Sequence, residues 1–462
     1  MKTIHTTIAA LALLGAATAA HAQVATPPTR PPRPVPHDTT PQRGLRMAPP
    51  APMAARPMQF PTYTESTLPN GLRLLVVENH ARPLATLDLY VRTGSVADPA
   101  GKLGVASMTA DLLTKGSPTR TARQISELIE GVGGSLDASA DDDYVALSAN
   151  VLSDQVPLAF ELLSDATLHP SFPDDELQTE RTRTLSSLQS QLGQPGTVAS
   201  RAFLAQVYGT HPYGHARTPA TVNAITRADL QQFHSTYFKP RNALLVVAGD
   251  VTPARARELA TRYFGGWSGG AAPAVTLPAL PASGPTRIIL VNRPGSVQSN
   301  VVVGNPGIRP GNPDYFPLTV MNKILGGGSD ARLFEILRQQ KGWTYGSYSS
   351  LSRPRDVGLF TATAEVRTEV TDSALNEMMA QVRRMRTSPV TATELTAAKS
   401  YLVGSYPLRY ETPGQIADRL AQIQLLGLPM TELTQYRERI NAVTAADVRR
   451  VAQQYLQPER MT

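Results

Sequence analysis

Two short apolar runs, LRLLVVE at 72–78 and TLDLYVR at 86–92, predict strands, and they are followed at 102–115 by a helical spacing of Leu103, Met108, Leu112 and Leu113. The same succession returns later in the chain. RIILVN at 287–292 and NVVVG at 300–304 predict strands, and 313–325 predicts a helix. The longest echo sets ITRADLQQFHSTYFKPRNALLVVAGD (225–250) against VTAADVRRVAQQYLQPERMT (443–462), and duplication is the economical reading. In the first copy the helix and its proline lead into a strand from Leu244 to Val247. The second copy stops at Thr462, where that strand should begin, so either the chain is incomplete or the second sheet lacks it; an unpaired edge is expected there.

These patterns predict an α+β fold of two homologous domains, each a mixed, mostly antiparallel sheet with helices packed on one face. The expected boundaries are 65–267 for the N-terminal domain, 268–285 for a Gly/Ala/Pro linker, and 286–462 for the C-terminal domain. About 400 residues are too many for one core and comfortable for two.

Residues 1–22 carry Lys2, an apolar run from Ile8 to Ala20 and an A-x-A site, which predicts a cleaved secretory signal too short to span a membrane. The expected location is the periplasm. Residues 23–64 form a Pro/Arg-rich segment with too little apolar surface to offset the entropy of ordering, and disorder is expected there. That segment also explains the formal charge of +7, because beyond residue 60 the chain holds 38 Lys and Arg against 36 Asp and Glu. A near-neutral globular part gives no case for nucleic acid. With no Cys anywhere, neither disulfides nor thiolate metal sites are available, and stability must come from the apolar core.

The stretch Gly104 to Ser117 (GVASMTADLLTKGS) resembles G-x-A-H-x-x-E-H-x-L-x-x-G-[ST], the signature helix of the pitrilysin/insulinase family of inverzincin metallopeptidases. Gly104, Ala106, Leu113, Gly116 and Ser117 fall in register, and His211-Pro212-Tyr213-Gly214 matches a loop of that family. The likeness runs over about residues 65–462 and implies two α/β domains facing each other like a clam. In such a helix two His four apart bind zinc, and the Glu between them takes a proton from the metal-bound water. Here those positions are Ser107, Asp111 and Ala110, and the family's third ligand, a Glu seven residues after another acidic residue (here Glu180), is Ser187. Only Asp111 could touch a metal, so no zinc is expected in this chain. Taken alone, the stretch is also an adequate amphipathic helix.

The resemblance extends to GGGSDARLFEILRQQKGWTYGSYS, 326–349, where the family carries an Arg and, seven residues on, a Tyr that reach the substrate backbone. By spacing these are Arg338 and Tyr345, with Arg332 as the alternative cation. Guanidinium N–H and phenol O–H groups can donate to a peptide carbonyl and to the oxyanion that forms from it. The bland alternatives are a helix-ending Arg and a Tyr packed on a sheet. Asp141-Asp142-Asp143 lacks the spacing and central Gly of a calcium loop and is expected to be a solvated turn. His80, His169, His211, His215 and His234 form no i,i+4 pair with one another.

The expected function is that of an exported, zinc-less subunit of a two-chain metallopeptidase, hydrolysing peptides only with a homologous partner that carries H-x-x-E-H and the zinc. Substrate peptides would add as a strand to a sheet edge. A catalytically inactive peptide-binding or scaffold protein of the same fold is the alternative. An independent zinc enzyme with rearranged ligands is disfavoured, because both His positions and the base position are substituted together.

Overall fold

The computed structural model describes residues 60–282 and 284–462. The expected signal peptide and most of the Pro/Arg-rich segment lie outside the described residues. In the first half, six strands are ordered β1-β2-β6-β3-β5-β4: β1 Thr64–Thr67, β2 Arg73–Glu78, β3 Leu84–Val91, β4 Ser135–Ala140, β5 Val145–Leu152 and β6 Ala243–Gly249. Only β2 and β6 run parallel; the other pairs are antiparallel. In the second half, β7 Gln298–Pro306, β8 Thr344–Leu351 and β9 Leu359–Arg367 form an antiparallel sheet ordered β7-β9-β8.

β6 is buried at every residue, which explains its unbroken apolar run: both of its faces must be covered. One face carries Leu74, Val76, Leu87, Leu89, Leu245 and Val247, which pack with helices of the same half, among them Val105–Leu113, Val156–Leu168 and Pro253–Phe264. The other face carries Leu75, Val77, Tyr90, Leu244 and Val246. It is covered by a helix of the second half, Pro413–Leu425, through Ile416, Ala417, Leu420 and Ala421. On that side Tyr90 Oη donates to Asp418 (2.8 Å), and burial pushes the neighbouring Asp88 carboxyl up to about 7. The first half returns the cover. Its helix Pro195–Tyr208 packs Phe203 and Val207 against Val302 and Leu359 of the second sheet. Gly304 on β7 permits that approach, since a Cβ there would lie 2.8 Å from the Phe203 ring. Helices thus pack on both faces of each sheet, one of them borrowed from the other half, where the sequence predicts one covered face.

The repeat is visible in local chemistry. Helix Arg227–Tyr237 begins with a capping box between Thr226 and Asp229, and Ala445–Tyr455 begins with the same box between Thr444 and Asp447.

Two expectations are corrected. Residues 287–292 do not form a strand. Their apolar side chains are exposed, and among the described residues no strand pairs with them along a ladder. The Asp141–Asp143 turn is not simply solvated either. The Asp143 carboxylate is buried, accepts from Tyr213 Oη (2.8 Å) and accepts from the backbone N–H of Arg355 in the second half (2.8 Å). Tyr213 Oη in turn accepts from Asp356 N (3.2 Å), and Tyr208 Oη donates to Val357 O (2.9 Å). His211 Nδ1 accepts from Tyr213 N (3.2 Å), which leaves the proton on Nε2 to face the Asp356 carboxylate at 3.3 Å. Burial, with the Arg309 guanidinium beside it, holds this imidazole below its usual range, consistent with that neutral tautomer. The His-Pro-Tyr-Gly loop is therefore a polar clamp between the halves.

Removing one hydroxyl from this clamp leaves a buried carboxylate short of a donor. Tyr213→Phe is expected to cost about 1–3 kcal/mol in urea unfolding; an unchanged midpoint would show that the clamp does not hold the halves.

Candidate functional site

The motif helix Val105–Leu113 starts at Gly104, whose φ of 111° is a left-handed conformation that suits glycine. Its free N–H groups are met by Asp98, which accepts from Gly104 N (2.6 Å) and Ala106 N (2.8 Å). Val105, Met108, Ala110, Leu112 and Leu113 are buried, which leaves Ser107 and Asp111 half-buried on the remaining face. The helix lies against β4 and against helix Asp174–Leu192.

Asp111 meets the second helix at Glu180, with which it shares a hydrogen bond. Burial first, and then the Glu180 carboxyl, push Asp111 up to about 6, against the pull of Arg183 and Arg217. Glu180 is itself buried, accepts from Thr184 Oγ1 (3.0 Å) and pairs with Arg183 at 2.6 Å; Arg183 lies 4.0 Å from Asp111. The positive charge facing these two carboxyls is therefore a guanidinium. Ser187, two turns beyond Glu180 on the same helix, is exposed, and its hydroxyl accepts from Gln191 (3.1 Å).

A tetrahedral zinc does not fit this donor set. Ser107 offers a neutral hydroxyl, Ala110 offers nothing, and Ser187 is turned to Gln191. Asp111 is already committed to Glu180, with Arg183 alongside. Among the described residues no group of three or more His, Cys, Asp or Glu is placed to hold a metal ion.

Arg338 and Tyr345 lie together in the second half. Arg338 sits in a π-helical turn, Glu335–Gln340, that continues the short helix Arg332–Phe334, and its guanidinium lies 4.9 Å from the centre of the Tyr345 ring. π-turns of this kind are concentrated at functional sites. Tyr345 is 81% exposed on edge strand β8, at a bulge between Thr344 and Ser347. Arg338 also donates to Thr344 O (3.4 Å). Arg332 is buried and grips Glu394 with two bonds (2.6 and 3.0 Å), so it is a structural ion pair. Among the described residues no hydrogen bond or ion pair joins Arg338 or Tyr345 to Asp111, Glu180 or Arg183. Arg183 was missed from the sequence, although its place one turn after Glu180 is a legible signal.

The carboxyl pair gives a direct test. Titrating the Asp111 side-chain carboxyl by carbon-13 NMR is expected to give a midpoint near 6, as burial and Glu180 dictate, and Arg183→Ala should move it higher by removing a cation. A midpoint in the ordinary carboxylate range, or a downward move, would contradict this geometry.

With the site described, comparison with known proteins gives a consistent answer. Residues 73–219 match the model of insulinase (peptidase family M16), and residues 224–402 match the model of the peptidase M16 inactive domain. An uncharacterized zinc protease of Streptomyces coelicolor is 27% identical over 403 residues, covering 86% of this chain and 87% of that one. A probable mitochondrial-processing peptidase subunit beta of Arabidopsis thaliana is 26% identical over 445 residues, covering 90% of this chain and 81% of that one. Among solved structures, a peptidase M16 inactive domain from Pseudomonas fluorescens superposes with a TM-score of 0.80 at 27% identity, over 87% of this chain and 96% of that one. A protease from Helicobacter pylori gives 0.83 at 22% identity, over 87% and 99%, which speaks for the fold. Both halves, the two-sheet architecture and the frame of the motif helix agree: this chain belongs to the insulinase peptidase family M16, as a member whose zinc motif is lost.

Proposed function

We propose that the protein is the zinc-less subunit of a two-chain metallopeptidase, supplying substrate-side donors while a homologous partner bears H-x-x-E-H and the zinc. The observation that carries this reading is the Arg338–Tyr345 pair, exposed on an edge strand, in a chain whose metal-side positions are closed by Asp111, Glu180 and Arg183. An edge strand offers unpaired backbone groups to an extended peptide, and a guanidinium and a phenol beside it can donate to the carbonyl under attack. β4, next to the motif helix, offers a second such edge. One relative is named as a subunit of a processing peptidase and others as zinc proteases, which supports a hydrolytic assembly. The leader sequence supports export to the periplasm. No helix among the described residues is long and apolar enough to cross a membrane.

One observation favours the inactive scaffold reading: Arg338 spends a donor on Thr344 O and stacks on Tyr345, so both side chains have a use within the fold. Reconstitution separates the two. Mixed with an H-x-x-E-H sister chain, this protein should hydrolyse an unfolded reporter peptide that neither chain cleaves alone. Arg338→Ala should lower kcat by about 100-fold, the scale of losing one oxyanion donor, and Tyr345→Phe should lower it too. Undiminished turnover in both variants would remove their assigned role, and no turnover with any such sister would favour the scaffold.

A further inference from the structure

As a regular strand, the start of β8 would put Thr344, Gly346 and Tyr348 on one face and Tyr345 and Ser347 on the other. The observed strand departs from that alternation. Thr344, Ser347 and Ser349 are buried, while Tyr345 and Tyr348 are both exposed. The cause is the bulge: the ladder steps from the pair Thr344–Val366 to the pair Ser347–Ala364, so Tyr345 and Gly346 together oppose the single Glu365 of β9. A bulge re-aims a side chain but disrupts the local ladder, and the backbone groups it frees need other partners.

Here one side chain supplies them. Thr344 Oγ1 donates to Gly346 O (2.8 Å) and accepts from Gly346 N (3.0 Å), so both backbone groups of Gly346 close back onto Thr344 and Tyr345 is the residue enclosed. The carbonyl of the same threonine accepts from Arg338 (3.4 Å), whose guanidinium lies 4.9 Å from the Tyr345 ring. Thr344 is thereby joined to both members of the pair while being buried itself. The flank of the bulge is packed as well. The Tyr348 ring, set against Phe334 (5.8 Å), lies so close over Gly346 that a Cβ there would stand 2.6 Å from it. Valine would suit a buried strand position equally well, so the fold as such has no need of a hydroxyl at 344; the bulge has.

We propose that Thr344 is the positioning residue of the Arg338–Tyr345 pair, its hydroxyl holding the bulge that turns the Tyr345 phenol out of the sheet toward substrate. The proposal rests on the substrate-side role given to that pair above. A phenol O–H that donates to a developing oxyanion works only when held in place, so its misplacement appears in kcat and leaves KM nearly unchanged.

The test uses the full chain mixed with an H-x-x-E-H sister chain, and the full chain alone carrying fluorotyrosine at position 345. Thr344→Val is expected to lower kcat about tenfold with KM within about twofold, whereas Thr344→Ser, which keeps the hydroxyl, retains activity. In a Tyr345→Phe background, Thr344→Val should cost less than about twofold more, because the group it positions is already gone. Ser350→Ala removes a different β8 hydroxyl, one paired with Thr361 (2.8 Å), and should leave turnover unchanged. In the chain alone, Thr344→Val should shift or broaden the fluorine resonance of residue 345, and Thr344→Ser should restore it. An unmoved resonance, full activity of Thr344→Val beside an impaired Tyr345→Phe, or equal losses with and without the Tyr345 hydroxyl would overturn the proposal and leave the role of the pair standing. Undiminished turnover in Tyr345→Phe would overturn the role of Tyr345 itself, and the proposal with it.

Discussion

The structure depends on covering a sheet that is apolar on both sides. β6 and the central residues of β2 are buried on both faces, yet the helices of the first half reach only one. The second face is covered by helix Pro413–Leu425 from the other half, and the first half sends Pro195–Tyr208 in return. Burying one large aliphatic side chain is worth about 1.5–3 kcal/mol. Separating the halves would expose several at once, together with the buried Tyr90–Asp418 and Tyr213–Asp143 contacts. The two halves therefore behave as one body, and the surfaces left for ligands are the outer strands, β4 with β5 and β8 with β9, which the exchanged helices do not fully cover. Thr363, Glu365 and Arg367 on β9 are exposed for that reason.

The same economy explains the motif helix. Its buried side, Met108, Ala110, Leu112 and Leu113, serves the core whether or not chemistry takes place on the other side, so the fold can outlast the loss of metal ligands. What remains on that side still needs charge balance. Two carboxyls in contact cannot both ionise cheaply, and Asp111 is held toward its neutral form while Arg183 compensates Glu180. The arrangement is self-sufficient without a divalent ion.

Much of this was legible in the sequence because it is local. Strand periodicity placed β2 and β3, the apolar run from Leu244 to Val247 predicted the strand that is β6, and the echo of 225–250 in 443–462 marked the repeat, whose matching Thr-x-x-Asp caps the structure shows. The spacing of Arg338 and Tyr345 was readable, and the structure brings the two side chains together. What escaped is nonlocal. A run such as 287–292 has every strand preference but needs a neighbour to become one. Three consecutive Asp read as solvated until Tyr213 and Arg355 arrive from distant elements to bury the third. The exchange of helices leaves no trace in periodicity, because an apolar stripe does not record which half it covers.

The central claim is that this polypeptide keeps the frame of a zinc peptidase without its own means to hold and use the metal. Zinc content of the purified chain by mass spectrometry, read alongside peptide hydrolysis with and without chelator, tests it most directly. The account predicts essentially no bound zinc and no chelator-sensitive turnover by the chain alone. One zinc per chain, bound by this chain's own side chains and required for unaided hydrolysis, would contradict it.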